Sequence, residues 1–418
     1  MRRREWLRLV GVGAASLATS CGDDLPPPAS TLVGAVLEPA ATGFLVALYD
    51  EISRSVDLEV RDEDGAILVE KTVDLAPHGI ARIDGLAPAR TYEVIAFQPR
   101  HAPLGPMRVR TAPADDDPRP VRIAVSADFD PHPMFESPLV DHVLAAEPDL
   151  FVSLGDFPYC DNGPDVVQDV PGYRLRHVEA RSSAAMRALY GGVGVRSIYD
   201  DHEFRNDWDP EFVARESSRY AAAMQVWDEF FPLRDPVGDV RYRRWRYGAN
   251  VECFLLDCRR FRSATAEPDT PQKTMLGATQ RQWLLDGVRA SSAAFKLIFT
   301  SVPLDFGVGL DHWKGYTSER EELLGALVGV PGVLFVSADQ HYFAAYRHSH
   351  GVREFQVGPL ARGIGPYGED SSGVLFRSGR YNAGLFEIDG DELRVIAIGA
   401  DGEQFYEETF TPSDLRPG

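Results

Sequence analysis

The sequence predicts a protein of two parts, a small all-β sandwich followed by a larger α/β domain. Its 418 residues exceed what one small core usually holds, so two domains account for the length. Residues 31–113 contain short strand-like runs separated by Gly, Pro and Asp, which is typical of a β-sandwich. From residue 121 to residue 418, continuous apolar runs alternate with segments long enough for a helix. Residues 114–120 are rich in Asp and Pro and are predicted to form a linker.

The first part is predicted to hold short strands only. Their runs are Gly34–Leu37, Gly43–Leu48, Val56–Val60, Ala66–Val73, Ile80–Ile83, Tyr92–Phe97 and Met107–Thr111. The stretch Leu86–Val94 resembles the corner before a late strand of fibronectin type III domains. Because no group of residues suited to catalysis occurs here, we interpret this part as a docking or spacer module.

The second part is predicted to alternate buried strands with helices. The apolar runs are Val121–Ser126, Asp149–Leu154, Val195–Tyr199, Val251–Leu256, Lys296–Ser301 and Val333–Ser337. Helices are expected at Pro138–Ala146, Leu175–Tyr190, Glu211–Phe230, Ala278–Ala290 and Ser318–Leu327. Further strands joined by tighter turns are expected at Glu354–Val357, Gly384–Ile388, Leu393–Ile398 and Glu403–Thr409. A mixed sheet, or two packed sheets with helices outside, fits this order.

Residues 1–30 are predicted to form an export signal and a tether. Arg3-Arg4 followed by Trp6-Leu7-Arg8 resembles a twin-arginine motif, and the apolar run Leu9–Leu17 is too short to span a bilayer. Small residues precede Cys21, so this cysteine is either the lipidated first residue of a lipoprotein or is lost with the signal. We therefore expect an exported protein of the periplasm or cell envelope, with a lipid anchor at Cys21 as one of two outcomes.

The chain carries 63 acidic and 43 basic residues, which gives a formal net charge of −20. Such a composition argues against a non-specific nucleic-acid or anionic-membrane binder, because these partners attract clustered Lys and Arg. It remains compatible with a small phosphorylated substrate held by a local cationic or metal site, and also with a surface that serves solubility alone. No protein partner is evident from the sequence. The cysteines beyond the signal are odd in number and predict no disulfide framework.

Most of the apolar runs in the second part end at an aspartate. The residues that follow the runs are Ala127-Asp128, Gly155-Asp156, Asp200-Asp201-His202-Glu203, Asp257-Cys258-Arg259 and Ala338-Asp339-Gln340-His341. Sites of open α/β sheets lie at the carboxyl ends of the strands, so the pattern brings several carboxylates together. Two hard cations would relieve their repulsion. A single aspartate after a strand is often a helix N-cap, but the whole set with two histidines favours a metal site.

These residues resemble the PhoD-type alkaline phosphatases and phosphodiesterases of the calcineurin-like metallophosphatase superfamily. The resemblance rests on Gly155–Tyr159, Asp200–Glu203 with Asn206-Asp207 behind, and Asp339–His341, with support from Asp257–Arg262, Leu276–Leu284, Ser301–Pro303 and Asp311–Arg320. It implies a metallophosphatase β-sandwich flanked by helices, in α/β/β/α layers, after the small sandwich. It also implies a phosphoric-ester hydrolase in which metal-activated water attacks phosphorus in a small-molecule ester or a phospholipid.

The resemblance assigns roles to individual residues. Asp156 would bridge two metal ions; Asp128, Tyr159 and His341 would bind one of them, and Asp201, Asp339 and Asn206 the other. Asp200 is an alternative to Asp201 that the sequence leaves open. His202 would protonate the leaving alkoxide. Arg205, Arg259 or Arg262 would hold a phosphoryl oxygen, with ion pairs to nearby acids as the alternative role for these arginines.

One position departs from the family pattern. The family usually has a cysteine ligand in the turn after the first strand of the second part, whereas this chain has Ala127-Asp128-Phe129-Asp130. Asp128 is the expected replacement, ahead of Asp130 and His132, and an oxygen ligand there makes Mn, Zn or Ca as plausible as the Fe of close relatives. Two alternatives to a monoesterase remain open: a phosphodiesterase or phospholipase using the same site, and a non-enzymatic surface protein stabilised by metal.

Overall fold

The computed structural model describes residues 32–99, 101–130, 137–162, 167–368 and 373–418. The predicted export signal, the tether, Cys21 and His132 lie outside the described residues. Among the helices that are described, none is long and apolar enough to cross a membrane. The cysteines Cys160, Cys253 and Cys258 are buried and form no disulfide.

Strands dominate the first part of the chain and the C-terminal end of the second part. The strands are β1 (Val33–Ala40), β2 (Gly43–Tyr49), β3 (Ser55–Arg61), β4 (Ile67–Asp74), β5 (His78–Asp84), β6 (Thr91–Phe97), β7 (Leu104–Arg110), β8 (Val121–Ser126), β9 (Leu150–Ser153), β10 (Val195–Ser197), β11 (Arg243–Arg246), β12 (Val251–Leu255), β13 (Phe295–Phe299), β14 (Val333–Ser337), β15 (Phe343–Arg347), β16 (Arg353–Gln356), β17 (Val374–Ser378), β18 (Asn382–Asp389), β19 (Glu392–Gly399) and β20 (Gln404–Phe410).

Helices lie between the strands of the second part. They are α1 (Leu139–Ala145), α2 (Val170–Ser182), α3 (Ala184–Gly192), α4 (Pro210–Arg215), α5 (Ser217–Phe230), α6 (Gly277–Ala290) and α7 (Thr317–Ala326). The single helix predicted over residues 175–190 is interrupted at Ser183, whose extended backbone ends α2 and whose hydroxyl accepts a hydrogen bond from Met186 N at 3.3 Å. This is the geometry of a serine N-cap, so the break is encoded locally.

Two sheets face each other in the larger part of the molecule. A nine-stranded sheet has the order β20-β19-β18-β8-β9-β10-β1-β2-β5, and a seven-stranded sheet has the order β11-β12-β13-β14-β16-β15-β17. Val125 and Val152 from the first sheet pack with Leu255, Phe299 and Val336 from the second in one buried core. Helices α1, α2, α3 and α5 cover the outer face of the first sheet, and α6 and α7 cover that of the second. The predicted α/β/β/α layering is confirmed.

The first part shares a sheet with the second. β1 lies parallel to β10, with Leu37 opposite Val195, so β1, β2 and β5 extend the sheet of the larger part. A separate four-stranded sheet, β4-β3-β6-β7, packs on this extension through buried residues such as Val46 and Val94. The first sandwich is thus built from one shared sheet and one sheet of its own. The domain boundaries and the likeness to fibronectin type III stay predictions, although Tyr92 Oη accepts a hydrogen bond from Ala87 N at 3.0 Å across the expected corner.

Candidate metal centre

The strand order brings the predicted aspartates to one end of both sheets. β8, β9 and β10 are parallel neighbours in one sheet, and β12, β13 and β14 are parallel neighbours in the other. Asp128, Asp156 and Asp200-Asp201 follow the first three strands, and Asp339 follows β14. Because parallel strands end at the same edge, and the two sheets pack face to face, these carboxylates converge.

Asp128, Asp156 and His341 form the first group of ligand atoms, which all lie within 4.8 Å of one another. Tyr159 Oη donates a hydrogen bond to Asp156 Oδ2 at 3.1 Å and lies 3.1 Å from His341 Nε2. His341 Nδ1 donates to the carbonyl oxygen of Gly363 at 2.8 Å, which leaves Nε2 as the nitrogen with a lone pair. A histidine oriented in this way is what a metal site needs. The four residues predicted for one metal ion are therefore brought together.

Two further groups overlap with the first. Ligand atoms of Asp156, Asp201 and His202 lie within 4.8 Å of one another, and so do those of Asp200, Asp201 and Asp339. Asp156 thus lies between the group of Asp128 and the group of Asp201, as expected for a bridging ligand.

The geometry separates the two neighbouring aspartates that the sequence leaves equivalent. Both oxygens of Asp200 accept hydrogen bonds from Arg259, each at 2.7 Å, and Ser301 Oγ donates to Oδ1 at 2.6 Å. Asp201 accepts one hydrogen bond at Oδ2, from Asp207 N at 2.6 Å. Its Oδ1 is buried without a hydrogen-bond partner among the described residues. Asp201 thus keeps an oxygen available for a cation, whereas both oxygens of Asp200 are engaged by Arg259.

The carboxylate of Asp128 is the clearest sign that this site fits a cation. Both of its oxygens are buried without a hydrogen-bond partner in the described chain. Burial, and then the charges of Asp156 and Asp339, raise its pKa well above the ordinary value. Burial also raises the pKa of Asp156. Unpaired buried carboxylates destabilise a fold by several kcal/mol unless a cation binds them. An oxygen-rich set with one histidine suits hard or borderline divalent and trivalent ions.

The backbone at the site adopts conformations that non-glycine residues seldom take. The φ angles of Asp128, Asp156, Asp339 and His341 are 58°, 57°, 79° and 57°. Such strain, of order 1–3 kcal/mol per residue, concentrates at functional sites. A Cβ at Gly358 would lie 2.4 Å from Asp128 Oδ2, so this glycine makes room for the carboxylate.

The Gly-Asp pair after β9 has a similar steric explanation. Gly155 has a φ of +110°, and a Cβ there would lie 2.6 Å from Asp200 Cβ. The loops after β9 and β10 approach so closely at this point that only glycine fits.

His202 is held by a residue that the sequence analysis did not single out. His202 Nδ1 lies 2.8 Å from Asp161 Oδ1, and the other oxygen of Asp161 accepts a hydrogen bond from Asn206 N at 2.6 Å. Burial lowers the pKa of His202, but Asp201, Asp156 and the bond to Asp161 outweigh it and raise the pKa well above the ordinary value. No sequence signal beyond proximity to Gly155–Tyr159 identifies Asp161.

Arg259, predicted as one of three arginines for a phosphoryl oxygen, lies between two aspartates. Its guanidinium is fully buried, with Asp200 on one side and Asp311 on the other. Arg262 is likewise buried and pairs with the other oxygen of Asp311. The substrate contact predicted for Arg259 stays a prediction, and the contacts described here are those of the ion-pair alternative, since both arginines pair with carboxylates beside the predicted metal ligands.

Arg205 and Asn206 lie at the edge of the centre. The Arg205 side chain is 43% exposed, with Nη1 3.8 Å from Glu216 Oε1. It lines a cavity of about 370 Å³ together with Asp161, Asn206, Asp207 and neighbouring residues of α4. Asn206 is exposed, and its neighbour Asp207 is the one that groups with Asp201 and Asp311. The ligand role predicted for Asn206 thus stays a prediction.

Arg362 is a cation at the site that the sequence analysis missed. Its guanidinium carbon lies 4.2 Å from the centre of the Tyr159 ring, and Nη1 donates to Asp130 Oδ2 at 2.6 Å. Asp130 therefore pairs with Arg362, which makes it a poor replacement for the cysteine ligand that the family usually has after the first strand of the second part. Arg362 immediately precedes Gly363, whose carbonyl orients His341, and the sequence Ala-Arg-Gly after β16 is the only local signal.

Residues of the supporting sequence blocks hold the loops around the candidate ligands by hydrogen bonds. Gln280 on α6 accepts a hydrogen bond from Asp257 N and donates one to Asp257 O, both at 2.8 Å. The carboxylate of Asp257 in turn accepts hydrogen bonds from the backbone of Arg259 at 3.1 Å and of Arg260 at 3.0 Å. This chain of contacts fixes the loop that carries Arg259. Glu203 links the loops after β9 and β10 by accepting hydrogen bonds from Phe157 N at 2.9 Å and Asp200 N at 3.0 Å.

Comparisons with known proteins agree with this geometry. A family model described as PhoD-like phosphatase matches residues 127–374. Alkaline phosphatase D of Bacillus subtilis (strain 168) is 26% identical over an alignment of 335 residues, and the match covers 67% of this chain and 57% of that protein. The match thus spans little more than half the length of this curated relative.

Solved structures support the fold. A structure of PhoD superposes with a TM-score of 0.81 at 19% identity and covers 95% of this chain and 92% of its own. Purple acid phosphatase PPD1 from yellow lupin (Lupinus luteus) seeds superposes with a TM-score of 0.69 at 11% identity, over 93% and 76% of the two chains. The matched family segment covers more than half of the sequence and includes every residue of the metal centre, and the chain therefore belongs to the PhoD-like phosphatase family.

Proposed function

We propose that this protein is an exported, metal-dependent hydrolase of phosphoric esters. The observation that carries the proposal is the buried carboxylate of Asp128, whose two oxygens have no hydrogen-bond partner among the described residues, directly beside Asp156 and His341. A bound cation supplies the partner that such a buried carboxylate lacks. Family membership then favours phosphoryl chemistry over a purely structural metal.

Two metal ions fit the donor groups. Asp128, Tyr159 and His341 would bind one ion, Asp201 and Asp339 the other, and Asp156 both, with Asn206 as a further ligand from the rim. The donors fit Mn, Zn, Ca or Fe. The bound ions would supply activated water and the positive charge that the phosphoryl oxygens need.

The chain's own residues would position the substrate and move one proton. His202 uses Nδ1 for Asp161, which leaves Nε2 for the leaving oxygen of the ester. In this role His202 donates a proton as the ester bond breaks. Arg362, beside Tyr159, would hold a phosphoryl oxygen, the role that the sequence analysis gave to Arg205, Arg259 or Arg262. Arg259 would keep Asp200 in place.

The proposal is tested by elemental analysis of the purified protein without residues 1–30, together with hydrolysis of p-nitrophenyl phosphate and bis(p-nitrophenyl) phosphate by the same sample. We expect about two metal ions per chain and turnover that a chelator abolishes and one of the metals restores. The ratio of the two rates distinguishes a monoesterase from a diesterase. No metal and no turnover after addition of Mn²⁺, Zn²⁺, Ca²⁺ or iron would overturn the proposal and favour the non-enzymatic alternative.

Export is a separate part of the proposal and rests on the sequence pattern of residues 3–21. Replacing Arg3 and Arg4 together by Lys should retain the protein in the cytoplasm, because the twin-arginine pathway reads the pair. Cell fractionation measures this, and an exported variant would contradict it. Replacing Cys21 by Ser in the full chain distinguishes the lipid-anchored form from the soluble one by detergent partitioning.

A further inference from the structure

Three large apolar side chains are exposed to solvent on two loops that contact residues 339–341. Val308 is 52% exposed, Leu310 is 56% exposed and Ile364 is 44% exposed. We call these residues the apolar rim. They come from two loops: Val308 and Leu310 from the segment between β13 and α7, and Ile364 from the segment after β16.

The two loops are fixed against the residues of the metal centre. Gln340 Oε1 accepts a hydrogen bond from Val308 N at 2.6 Å, so Val308 lies beside the residue between Asp339 and His341. Ile364 lies between Gly363 and Gly365, which bind the side chain and the backbone of His341 at 2.8 Å and 3.1 Å respectively.

The loops also contact each other. A β-bridge joins Gly307 to Gly368, which ties the segment that carries Val308 and Leu310 to the segment that carries Ile364. Both ends of the rim are thus attached to one short stretch, residues 339–341. The positions of the rim residues are therefore set by the same contacts that set the metal ligands.

Apolar side chains in such positions indicate an apolar ligand. They contribute little to the core, because about half of each surface faces water, and exposed apolar groups beside a functional site commonly bind a ligand. The guanidinium of Arg362, two residues before Ile364, supplies a cation on the same loop, beside the ring of Tyr159. A ligand that matches both features carries an anionic phosphoryl group and a hydrocarbon group.

We propose that the apolar rim binds the hydrocarbon group of the substrate, so that this enzyme prefers amphiphilic phosphoric esters. This inference rests on the proposed function, which puts the phosphoryl group at the metal centre. A methylene fully removed from water favours binding about fourfold. Because a rim covers one side of a hydrocarbon chain, we expect an increase in kcat/KM of about twofold per added methylene, from methyl to hexyl.

The test uses two series of soluble esters, n-alkyl phosphates and p-nitrophenyl n-alkyl phosphates, below the concentrations at which they form micelles. Both series are given to the metal-loaded protein without residues 1–30, with p-nitrophenyl phosphate and bis(p-nitrophenyl) phosphate as references. The measured quantity is the dependence of kcat/KM on chain length. Ile364→Ser, Leu310→Ser and Val308→Ser, singly and together, should flatten this dependence.

The chain offers matched controls at equally exposed sites. Ile80 on β5 is 43% exposed, Leu175 on α2 is 56% exposed and Val328 after α7 is 46% exposed. Ile80→Ser, Leu175→Ser and Val328→Ser should leave the chain-length dependence as in the parent. The thermal unfolding midpoint of each variant shows whether the fold is kept.

The outcomes distinguish failure of this inference from failure of the proposed function. Hydrolysis of a reference ester with no chain-length dependence in either series would overturn the inference and leave the proposed function standing. A dependence that appears only above the micelle-forming concentration would indicate docking on a lipid surface instead, and would also overturn it. No hydrolysis of any ester would overturn the proposed function itself.

Discussion

Arg259 donates hydrogen bonds to both carboxylate oxygens of Asp200, with Nε 2.7 Å from Oδ1 and Nη2 2.7 Å from Oδ2. Neither side chain is exposed. A fork-shaped guanidinium meets a planar carboxylate in this arrangement, and lysine cannot reproduce it. The pair therefore sets the loop on which the next residue, Asp201, presents its unpartnered Oδ1 to the metal centre.

The first prediction concerns this pair. Arg259→Lys should lower the free energy of unfolding by about 1–3 kcal/mol, because one ammonium group cannot replace the hydrogen bonds that the guanidinium donates to both Asp200 and Asp311 in a buried site. Metal affinity should fall with stability, since Asp201 loses its support. Urea unfolding with a chelator and metal titration measure the two effects. Arg260→Lys is the control, as Arg260 pairs with Asp239 at the surface. Unchanged stability in Arg259→Lys would contradict the structural role.

Asp128→Asn gives the second prediction. In the presence of a chelator the variant should be more stable than the parent by about 1–3 kcal/mol at pH 8, because a buried, unpaired charge is removed. Metal should then stabilise the parent, by about 2.7 kcal/mol at a concentration of one hundred times Kd, and should stabilise the variant much less. Thermal unfolding with chelator and with Mn²⁺ measures both. A variant that is less stable without metal would show that Asp128 serves the apo fold.

Much of the fold was predictable because buried parallel strands have a plain sequence pattern. Each of the apolar runs that end at an aspartate coincides with a strand within one or two residues, as β8 does at Val121–Ser126. The strands missed were β11, β15 and β17. β11 consists of Arg-Arg-Trp-Arg, whose charged side chains look like a loop, yet Arg243 pairs with Glu38 on β1. Such long-range partners are not visible in a local pattern.

The convergence of the candidate ligands was predictable from the sequence, whereas the residues that hold them in place were less so. Asp128, Asp156 and His341 converge because strand ends and turn glycines constrain them locally. The roles of arginines depend instead on which acid lies within reach after folding. Arg259 and Arg362 both lie in loops that follow a strand, and only the fold buries the first behind Asp200 and places the second beside Tyr159.

The third prediction tests the proton donor. His202→Gln should keep both metal ions, because the ligand carboxylates remain, and should lower kcat on an alkyl ester by about 10²–10⁴. The loss on p-nitrophenyl phosphate should be smaller, because nitrophenolate leaves without a proton. Asp161→Asn should act in the same direction through the position of His202. Rates, metal content and pH profiles separate these effects. Equal losses on both esters would argue against proton donation.

The fourth prediction compares two arginines beside the candidate metal centre. Arg362→Met should reduce kcat/KM by roughly 10²-fold, about 3 kcal/mol, because a charge-assisted hydrogen bond to a phosphoryl oxygen is lost. Arg205→Met, at the cavity beside Asp161, should have a smaller effect, since its guanidinium lies over the ring of Phe212 on α4 and not over that of Tyr159. Steady-state kinetics with p-nitrophenyl phosphate and inhibition by inorganic phosphate measure both. A larger loss for Arg205→Met would exchange the two roles.

The fifth prediction concerns stability in acid and a site away from the metal centre. His177 is buried against the ring of Phe230, 4.6 Å between centres, and its Nδ1 accepts a hydrogen bond from Arg181 at 2.9 Å. Burial, and then the charge of Arg181, lower the pKa of His177 well below its ordinary value. The folded protein therefore keeps this ring neutral at pH values where the unfolded chain binds a proton.

The sign of the effect follows from that difference. Stability from His177 is fully present above about pH 6.5, the ordinary value, and is lost as the pH falls below it, by up to about 1.4 kcal/mol per pH unit. His177→Gln keeps an acceptor for Arg181 but cannot bind a proton. The parent should therefore be the more stable protein at pH 8, and its advantage should shrink or reverse at pH 5. Urea unfolding at pH 8, 6.5 and 5 in chelator measures the difference, and a constant gap between the two proteins would contradict the prediction.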